Sequence, residues 1–583
     1  MKELQYLNKY LFTYRYKLLI GVFITIIARI FSLFTPRLVG NSMTAIEQYL
    51  NLSNQDSSQL EVILLFNIAL IISASLVSGF FTFLMRQTII NVSRFIEYDL
   101  KNEVYQHYQV LCSTFYKKNR TGDLMSRISE DVSKVRMYFG PALMYSINTI
   151  ALFVIVISYM VSIAPSLTLY TLLPLPVLSI TIYQLSKAIN IRSTAVQETL
   201  AKLSSFTQEA FSGIGVIKSY NIQPSIENNF AVLALKSKNQ NVALAKIQAW
   251  FFPLMILLIG FSNLIVIYVG GKQYIAGEIE IGVLAEFIIY VTMLTWPVAT
   301  VGWVTSLVQQ AEASQKRINA FLQQKPSIEN GFSTKKIKQA QLSFENVSFT
   351  YPDTGIRALK DISFELKEGE TLGIVGKTGA GKSTLLDLIA RLYDPNEGKV
   401  IIDHQNANTY SLNNLREVIG YVPQNPFLFS ESIEENIRFG KNNASYEEIV
   451  EAAKNAAVHN NIIDFKHQYK TLLGERGVTL SGGQIQRISI ARALIKDPMI
   501  LLFDDCLSAV DADTEEKILA HLNRISQDKT TCIVSHRVSS VKNADKIIVL
   551  EDGEIIQQGT HNELLNIDGH YRDLAEKQSA EIT

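Results

Sequence analysis

The sequence predicts an all-α transmembrane domain of six helices, followed by an α/β domain built around a phosphate-binding loop. Three observations carry the prediction. Apolar residues crowd the first 310 positions in runs such as "LLIGVFITIIARIFSLF" (18–34) and "EVILLFNIALIISASLVSGFFTFLM" (61–85). A helix that spans a bilayer takes about 20 such residues. From about residue 331 the composition turns into that of an ordinary soluble α/β domain. Within that second part, "TLGIVGKTGAGKST" (371–384) sets a glycine-rich loop between an apolar strand and a helical run, the context a phosphate-binding loop requires.

The elements follow in order. Residues 1–16 mix Lys, Arg, Tyr and Leu without a cleavable apolar core, which predicts an amphipathic helix on the membrane surface rather than a signal peptide. Six spans are expected near 17–39, 61–85, 137–160, 163–185, 248–271 and 281–306, the third and fourth joined by a short turn at "SIAPS". The loop 40–60 has no Lys or Arg, whereas 86–135 and 186–247 carry at least seven each. The basic segments are therefore cytoplasmic, with both termini inside. They are also long, so the membrane helices should continue well into the cytoplasm. The transmembrane domain is placed at 1–320, a linker at 321–340 and the soluble domain at 341–583.

Net charge is +0, so nothing argues for nucleic acid. The three cysteines, Cys112, Cys506 and Cys532, lie far apart without metal-ligand spacing, as expected of reduced cytosolic thiols.

In the loop, Gly376, Gly379 and Gly381 let the backbone approach phosphates, and Lys377, Thr378 and Ala380 complete it. The amides from Gly379 to Thr384 face a helix N-terminus, where the dipole favours anions. Lys382 is expected to reach the outer phosphates and Ser383 to hold Mg²⁺. Asp504 ends the apolar run "ILLFD" (500–504) and fits a metal-holding carboxylate at the C-terminal end of a parallel strand. A second glycine-rich helix start, "LSGGQIQRISIARAL" (480–494), stands between these motifs. One nucleotide does not need two such loops from one chain, but two facing chains can each complete the other's site.

In this order and spacing, the motifs resemble those of an ATP-binding cassette (ABC) transporter of the exporter type, over essentially the whole chain. The resemblance implies a Walker A loop at 376–384, a Walker B strand at 500–504, and a signature, Ser481, Gly482, Gly483 and Gln484, that contacts the partner chain's ATP. It implies that Gln424 touches Mg²⁺ and the transmembrane half, that Tyr351 stacks on adenine, and that His536 is the switch histidine. It assigns "SAVD" (508–511) to the D-loop, "GERG" (474–477) to the cross-talk segment, and 115–131 and 219–230 to coupling regions, with Pro224 starting a helix. ATP and Mg²⁺ are the implied cofactors, and a bacterial plasma membrane the implied location.

The family's usual Glu after the Walker B aspartate is Asp505 here. Its carboxylate is one methylene shorter, and about 1 Å of misplacement can cost about 10²-fold in rate. This implies an asymmetric heterodimer in which a second half-transporter supplies the competent Glu. The expected cargo is a hydrophobic small molecule, an amphipathic drug or a lipid, and membrane lipid is an expected partner. A homodimer with a competent Asp505, an importer on the same fold, and an ATP-gated channel or regulator are the rival readings. Arg29 and Glu286, ionisable residues inside predicted spans, are expected either to pair or to line a substrate path.

Overall fold

The computed structural model describes residues 3–51, 57–474, 480–506, 517–521, 524 and 528–582. Contacts divide the chain into two units, one of Met1–Gln109 with Thr121–Gln324, the other of Val110–Arg120 with Lys325–Thr583. The segment Val110–Arg120 thus packs with the second unit, although its chain neighbours on both sides belong to the first.

In the first unit, five helical stretches are long and apolar enough to cross a membrane: Arg15–Asn51, Ser58–Val110, Thr121–Ile163, Gln223–Ile275 and Ile281–Leu322. They contain the predicted first, second, third, fifth and sixth spans. The predicted fourth, 163–185, is divided between the helix Pro165–Leu172 and the helix Pro174–Ser212. Pro165 and Pro174 each open a helix, because proline has no N–H to continue the helical hydrogen bonds; Ala164 before Pro165 is non-helical at φ −145° and ψ +86°, whereas Leu173 before Pro174 keeps helical angles. No single helix of sufficient length therefore covers this region. The helix Ser57–Val110 runs 54 residues, about 80 Å at 1.5 Å per residue, far beyond the span predicted within it. The expected helix start at Pro224 is observed in the first turn of Gln223–Gln248. The turn read at "RTGD" falls one residue earlier, at Asn119–Arg120, and Thr121 already begins the next helix.

Arg29 and Glu286 form no ion pair among the described residues. Glu286 is buried beside Gly40, where a Cβ would lie 2.6 Å from its side chain, and it accepts a 3.3 Å hydrogen bond from the Tyr290 hydroxyl. Gly40 is eleven positions from Arg29 on one helix, about 16 Å along the axis. The two depths do not match. The N-terminal segment forms two short helices, Glu3–Leu7 and Asn8–Thr13. It is pinned to Glu103, which accepts from Lys9 at 2.6 and 2.7 Å and from Tyr10 at 2.6 Å.

The second unit holds two sheets. A four-stranded antiparallel sheet has the order β2-β1-β4-β5, with β1 Leu342–Thr350, β2 Arg357–Leu366, β4 Glu397–Ile402 and β5 Gln405–Asn406. A six-stranded sheet has the order β10-β9-β3-β8-β7-β6, with β3 Thr371–Gly376, β6 Ile419–Val422, β7 Ile500–Asp504, β8 Thr530–Val534, β9 Lys546–Glu551 and β10 Glu554–Gly559. Strands β9, β3, β8, β7 and β6 run parallel. Every residue of β7 and β8 is buried, as their unbroken apolar runs require of strands covered on both faces. The C-terminal ends of β3, β7 and β8 consequently lie side by side, where open α/β sheets bind ligands.

Candidate nucleotide-binding site

Strand β3 delivers the glycine-rich loop. Gly376 has φ +153°, and a Cβ there would sit 2.2 Å from the Leu550 carbonyl oxygen. Gly381 has φ +99°, and a Cβ would lie 2.4 Å from the Ala358 oxygen. No residue with a side chain fits either position. Lys377, Thr378 and Gly379 are exposed at the loop tip, while Ala380 is buried beneath it. The helix Lys382–Ile389 then begins with no side-chain cap on its N–H groups.

Lys382 is buried, and its Nζ donates to the carbonyl oxygens of Gly376 at 2.7 Å and Lys377 at 2.9 Å. Burial lowers its pKa, against the attraction of Asp505 and Asp504. Ser383 Oγ donates to Asp504 Oδ1 at 2.9 Å. Burial raises the Asp504 pKa, against that hydrogen bond. An anion beside Lys382 and a cation beside Asp504 would each offset the cost of a buried charge. The uncapped amides and these two groups therefore fit a magnesium nucleotide.

Gln424 follows β6 and is exposed; its Nε2 donates to Asp505 Oδ2 at 3.4 Å. Asp505 is buried, with φ +44°, and its N–H donates to the Val534 carbonyl at 3.0 Å. Lys382, Ser383, Asp504, Asp505 and Gln424 are thus brought together from three strand ends. His536 follows β8 and is half-buried; its carbonyl accepts from Gln578 at 2.7 Å. Among the described residues its ring has no hydrogen-bond partner. Tyr351 follows β1, and its hydroxyl lies 2.9 Å from Thr384 Oγ1.

Ser481 caps the helix Gly482–Leu494 in a reciprocal arrangement with Gln484. Ser481 and Gly482 are exposed and Gly483 half-exposed. No hydrogen bond joins them to the loop Gly376–Thr384 among the described residues. The segment "SAVD" and all of "GERG" except Gly474 lie outside the described residues.

Three residues beside the loop, Asp387, Tyr421 and Tyr393, were not singled out in the sequence. Asp387 accepts from the Tyr421 hydroxyl at 3.2 Å. The Tyr393 ring lies edge-on to that of Tyr351, with centroids 5.4 Å apart. Only Asp387 carried a usable signal, four positions after Ser383 and so on the same helix face.

A strand-loop-helix anion cradle, a serine–aspartate pair and a second glycine-rich helix start define a nucleotide hydrolase joined to a membrane-spanning unit. Residues 18–298 match the ABC transporter transmembrane region and residues 359–508 the ABC transporter ATP-binding domain. The chain is 37% identical over 487 residues to the ABC transporter ATP-binding protein YknU of Bacillus subtilis, covering 83% of each. It is 35% identical to the multidrug resistance-like ATP-binding protein MdlA of Escherichia coli, covering 88% of this chain and 87% of that one. A bacterial Atm1-family ABC exporter solved with ATP bound superposes with a TM-score of 0.80 at 25% identity, over 97% of this chain and 98% of that one. The chain belongs to the ABC transporter family. It is a multi-pass membrane exporter with fused membrane and ATP-binding domains, works as a dimer, and couples hydrolysis of ATP, bound with Mg²⁺, to transport.

Proposed function

We propose that this chain is one half of an asymmetric two-chain exporter of amphipathic drugs or lipids, and that its own nucleotide site hydrolyses ATP slowly. The observation that carries the reading is Asp505. Its short side chain stands where the family has Glu, and its backbone is left-handed, with φ +44°. Asp tolerates that conformation better than most residues with side chains. The main chain there is fixed by the Asp505 N–H bond to the Val534 carbonyl at 3.0 Å, and the hydrogen bond its carboxylate accepts from Gln424, at 3.4 Å, is long. The multidrug resistance-like name of the Escherichia coli relative supports a drug-like cargo.

Within this reading, Gly376–Thr384 hold the phosphates, with Lys382 as the main cation. Ser383, Asp504 and Gln424 hold Mg²⁺, which offsets charge on the phosphates when bound. Tyr351 carries the base, Asp505 and His536 face the attacking water, and Ser481–Gln484 serve the other chain's nucleotide. The proline-broken pair Pro165–Leu172 and Pro174–Ser212 supplies the sixth crossing. Both termini are then cytoplasmic in a bacterial plasma membrane, with domains at 1–320 and 341–583 and the linker at 321–340.

The test is ATP turnover by the dimer after the partner chain's catalytic Glu is changed to Gln. Asp505→Glu should then raise the residual rate about tenfold or more, a fraction of the about 10²-fold that about 1 Å of misplacement costs. If wild-type chain alone turns over ATP at tens per second, within the ordinary range of about 1–100 per second, Asp505 is competent and a homodimer replaces the asymmetric reading.

A further inference from the structure

The short helix Ser113–Lys118 lies between two long helices of the first unit in sequence, yet it packs with the ATP-binding unit. Its Lys117 reaches the aromatic group beside the phosphate loop. Lys117 Nζ donates to the Tyr393 hydroxyl at 2.8 Å. The same ammonium lies 5.3 Å from the Tyr393 ring centroid and 5.6 Å from that of Tyr351, within reach of cation–π attraction to both rings. Phe349 backs the pair, with its centroid 5.0 Å from Tyr351 and 5.2 Å from Tyr393. The far end of Tyr351 is tied to Thr384 at 2.9 Å. Lys118 adds a 3.4 Å hydrogen bond to the Pro352 carbonyl, next to Tyr351 in the chain.

The orientation of Tyr351 is therefore set from two directions. Thr384 holds its hydroxyl from the phosphate loop, and Lys117 holds its ring pair from a helix that enters from elsewhere in the chain. An aromatic ring has two soft torsions, and a fixed cation beside it narrows them before any ligand arrives. Pre-organisation of this kind raises affinity without a new contact to the ligand.

We propose that Lys117 is a positioning residue for the base platform, so that base binding at Tyr351 and seating of the helix Ser113–Lys118 are energetically linked. The proposal rests on the reading of Tyr351 as the platform. Linkage is reciprocal: a nucleotide whose base orders Tyr351 tightens the hold of Lys117, and withdrawal of the helix loosens the base.

The experiment measures ATP and tripolyphosphate binding to the purified full-length dimer, by displacement of a fluorescent nucleotide. It uses Lys117→Met, Lys117→Arg, Tyr351→Ala and the Lys117→Met/Tyr351→Ala double variant. Lys117→Met should weaken ATP binding about threefold to fivefold, the scale of one exposed cation–π contact. It should leave tripolyphosphate, which has no base, unchanged. Lys117→Arg, which keeps the cation, should restore ATP affinity. In the Tyr351→Ala background, Lys117→Met should change nothing further. Equal weakening of both ligands, or an undiminished effect of Lys117→Met without Tyr351, overturns the proposal. If Tyr351→Ala weakens ATP and Lys117→Met does not, the role of Lys117 fails while the platform stands. If Tyr351→Ala leaves ATP affinity unchanged, the platform reading fails and takes the proposal with it.

Discussion

The loops Gly376–Thr384 and Leu480–Gln484 each open a helix with a run of glycines, yet they finish its first N–H groups in opposite ways. The helix Lys382–Ile389 starts with no side-chain cap, and its lysine is folded onto the loop's own carbonyls. The helix Gly482–Leu494 is closed by Ser481 and Gln484, each bonding the other's main chain. Four orphan N–H groups need partners at any helix start. The first loop leaves them for a ligand, and the buried Lys382 adds the charge that selects an anion. In the second loop the cap takes up the N–H groups of Ser481 and Gln484 and leaves those of Gly482 and Gly483 outside it, with Ser481 and Gly482 exposed. The first helix start is left without a side-chain cap; the second is capped from within and exposed.

The strongest way to break this comparison is to remove the charge from the uncapped loop. Lys382→Ala should weaken ATP binding at this chain's site by about 10–100-fold, the worth of hydrogen bonds from a charged donor. Folding should be nearly unaffected, because the partners that the amine leaves behind are two carbonyl oxygens of a solvent-facing loop. Nucleotide titration of the purified protein, with its thermal midpoint as control, checks both halves. Unchanged affinity would place the anion somewhere other than this loop.

The next test acts on the capped loop. Ser481→Arg places a bulky cation on the exposed face and removes a cap worth about 1 kcal/mol. Turnover by the dimer should fall about tenfold or more, since a misplaced contact at a reacting site costs that readily. Binding to this chain's own loop should persist. Loss of binding there, with the other chain's site intact, would show that Ser481 serves its own nucleotide and would erase the distinction between the loops.

The glycine spacing and flanking apolar runs made both loops legible, because each encodes a local backbone requirement. The strand ending in Asp504 and the helix opening at Lys382 were legible for the same reason. Other features depend on tertiary packing. Nothing local in Lys117, Tyr351 and Tyr393 says that three distant segments meet. The left-handed backbone of Asp505 follows from its N–H bonding Val534 on the neighbouring strand. In the membrane unit, hydropathy marked the apolar stretch 163–185 correctly as apolar. It carried no information on the helix break at Leu173, which the prolines impose. Of the two roles expected for Arg29 and Glu286, pairing rested on estimated depths, and helix packing set Glu286 beside Gly40.

The smallest effect separates the helices that follow the two loops. The first carries Asp387, which burial pushes up from 3.8 to about 6. The second carries Arg492, which burial pushes down to about 10 while it donates to the carbonyls of Phe427 and Asn436 and to the Asn436 side chain. Below about pH 4, Asp387 is protonated in both folded and unfolded chains and contributes nothing to pH dependence. As pH rises from about 4 to about 6, the unfolded chain releases this proton first, so stability falls. Above about 6 the loss is complete, about 2–3 kcal/mol for a shift of about two pK units. Acidification from pH 7 to 5 therefore returns stability through Asp387, opposite in sign to the loss caused by carboxylates whose pKa is lowered on folding. Arg492 stays charged throughout that interval, so the second helix adds no slope. Asp387→Asn should remove the gain, leaving a variant whose thermal midpoint falls more steeply than wild type between pH 7 and 5, by about 2–4 °C. Parallel curves for the two proteins would mean that Asp387 is solvated. The uncapped loop would then differ from the capped one in its first turn alone, not in the charge buried beneath it.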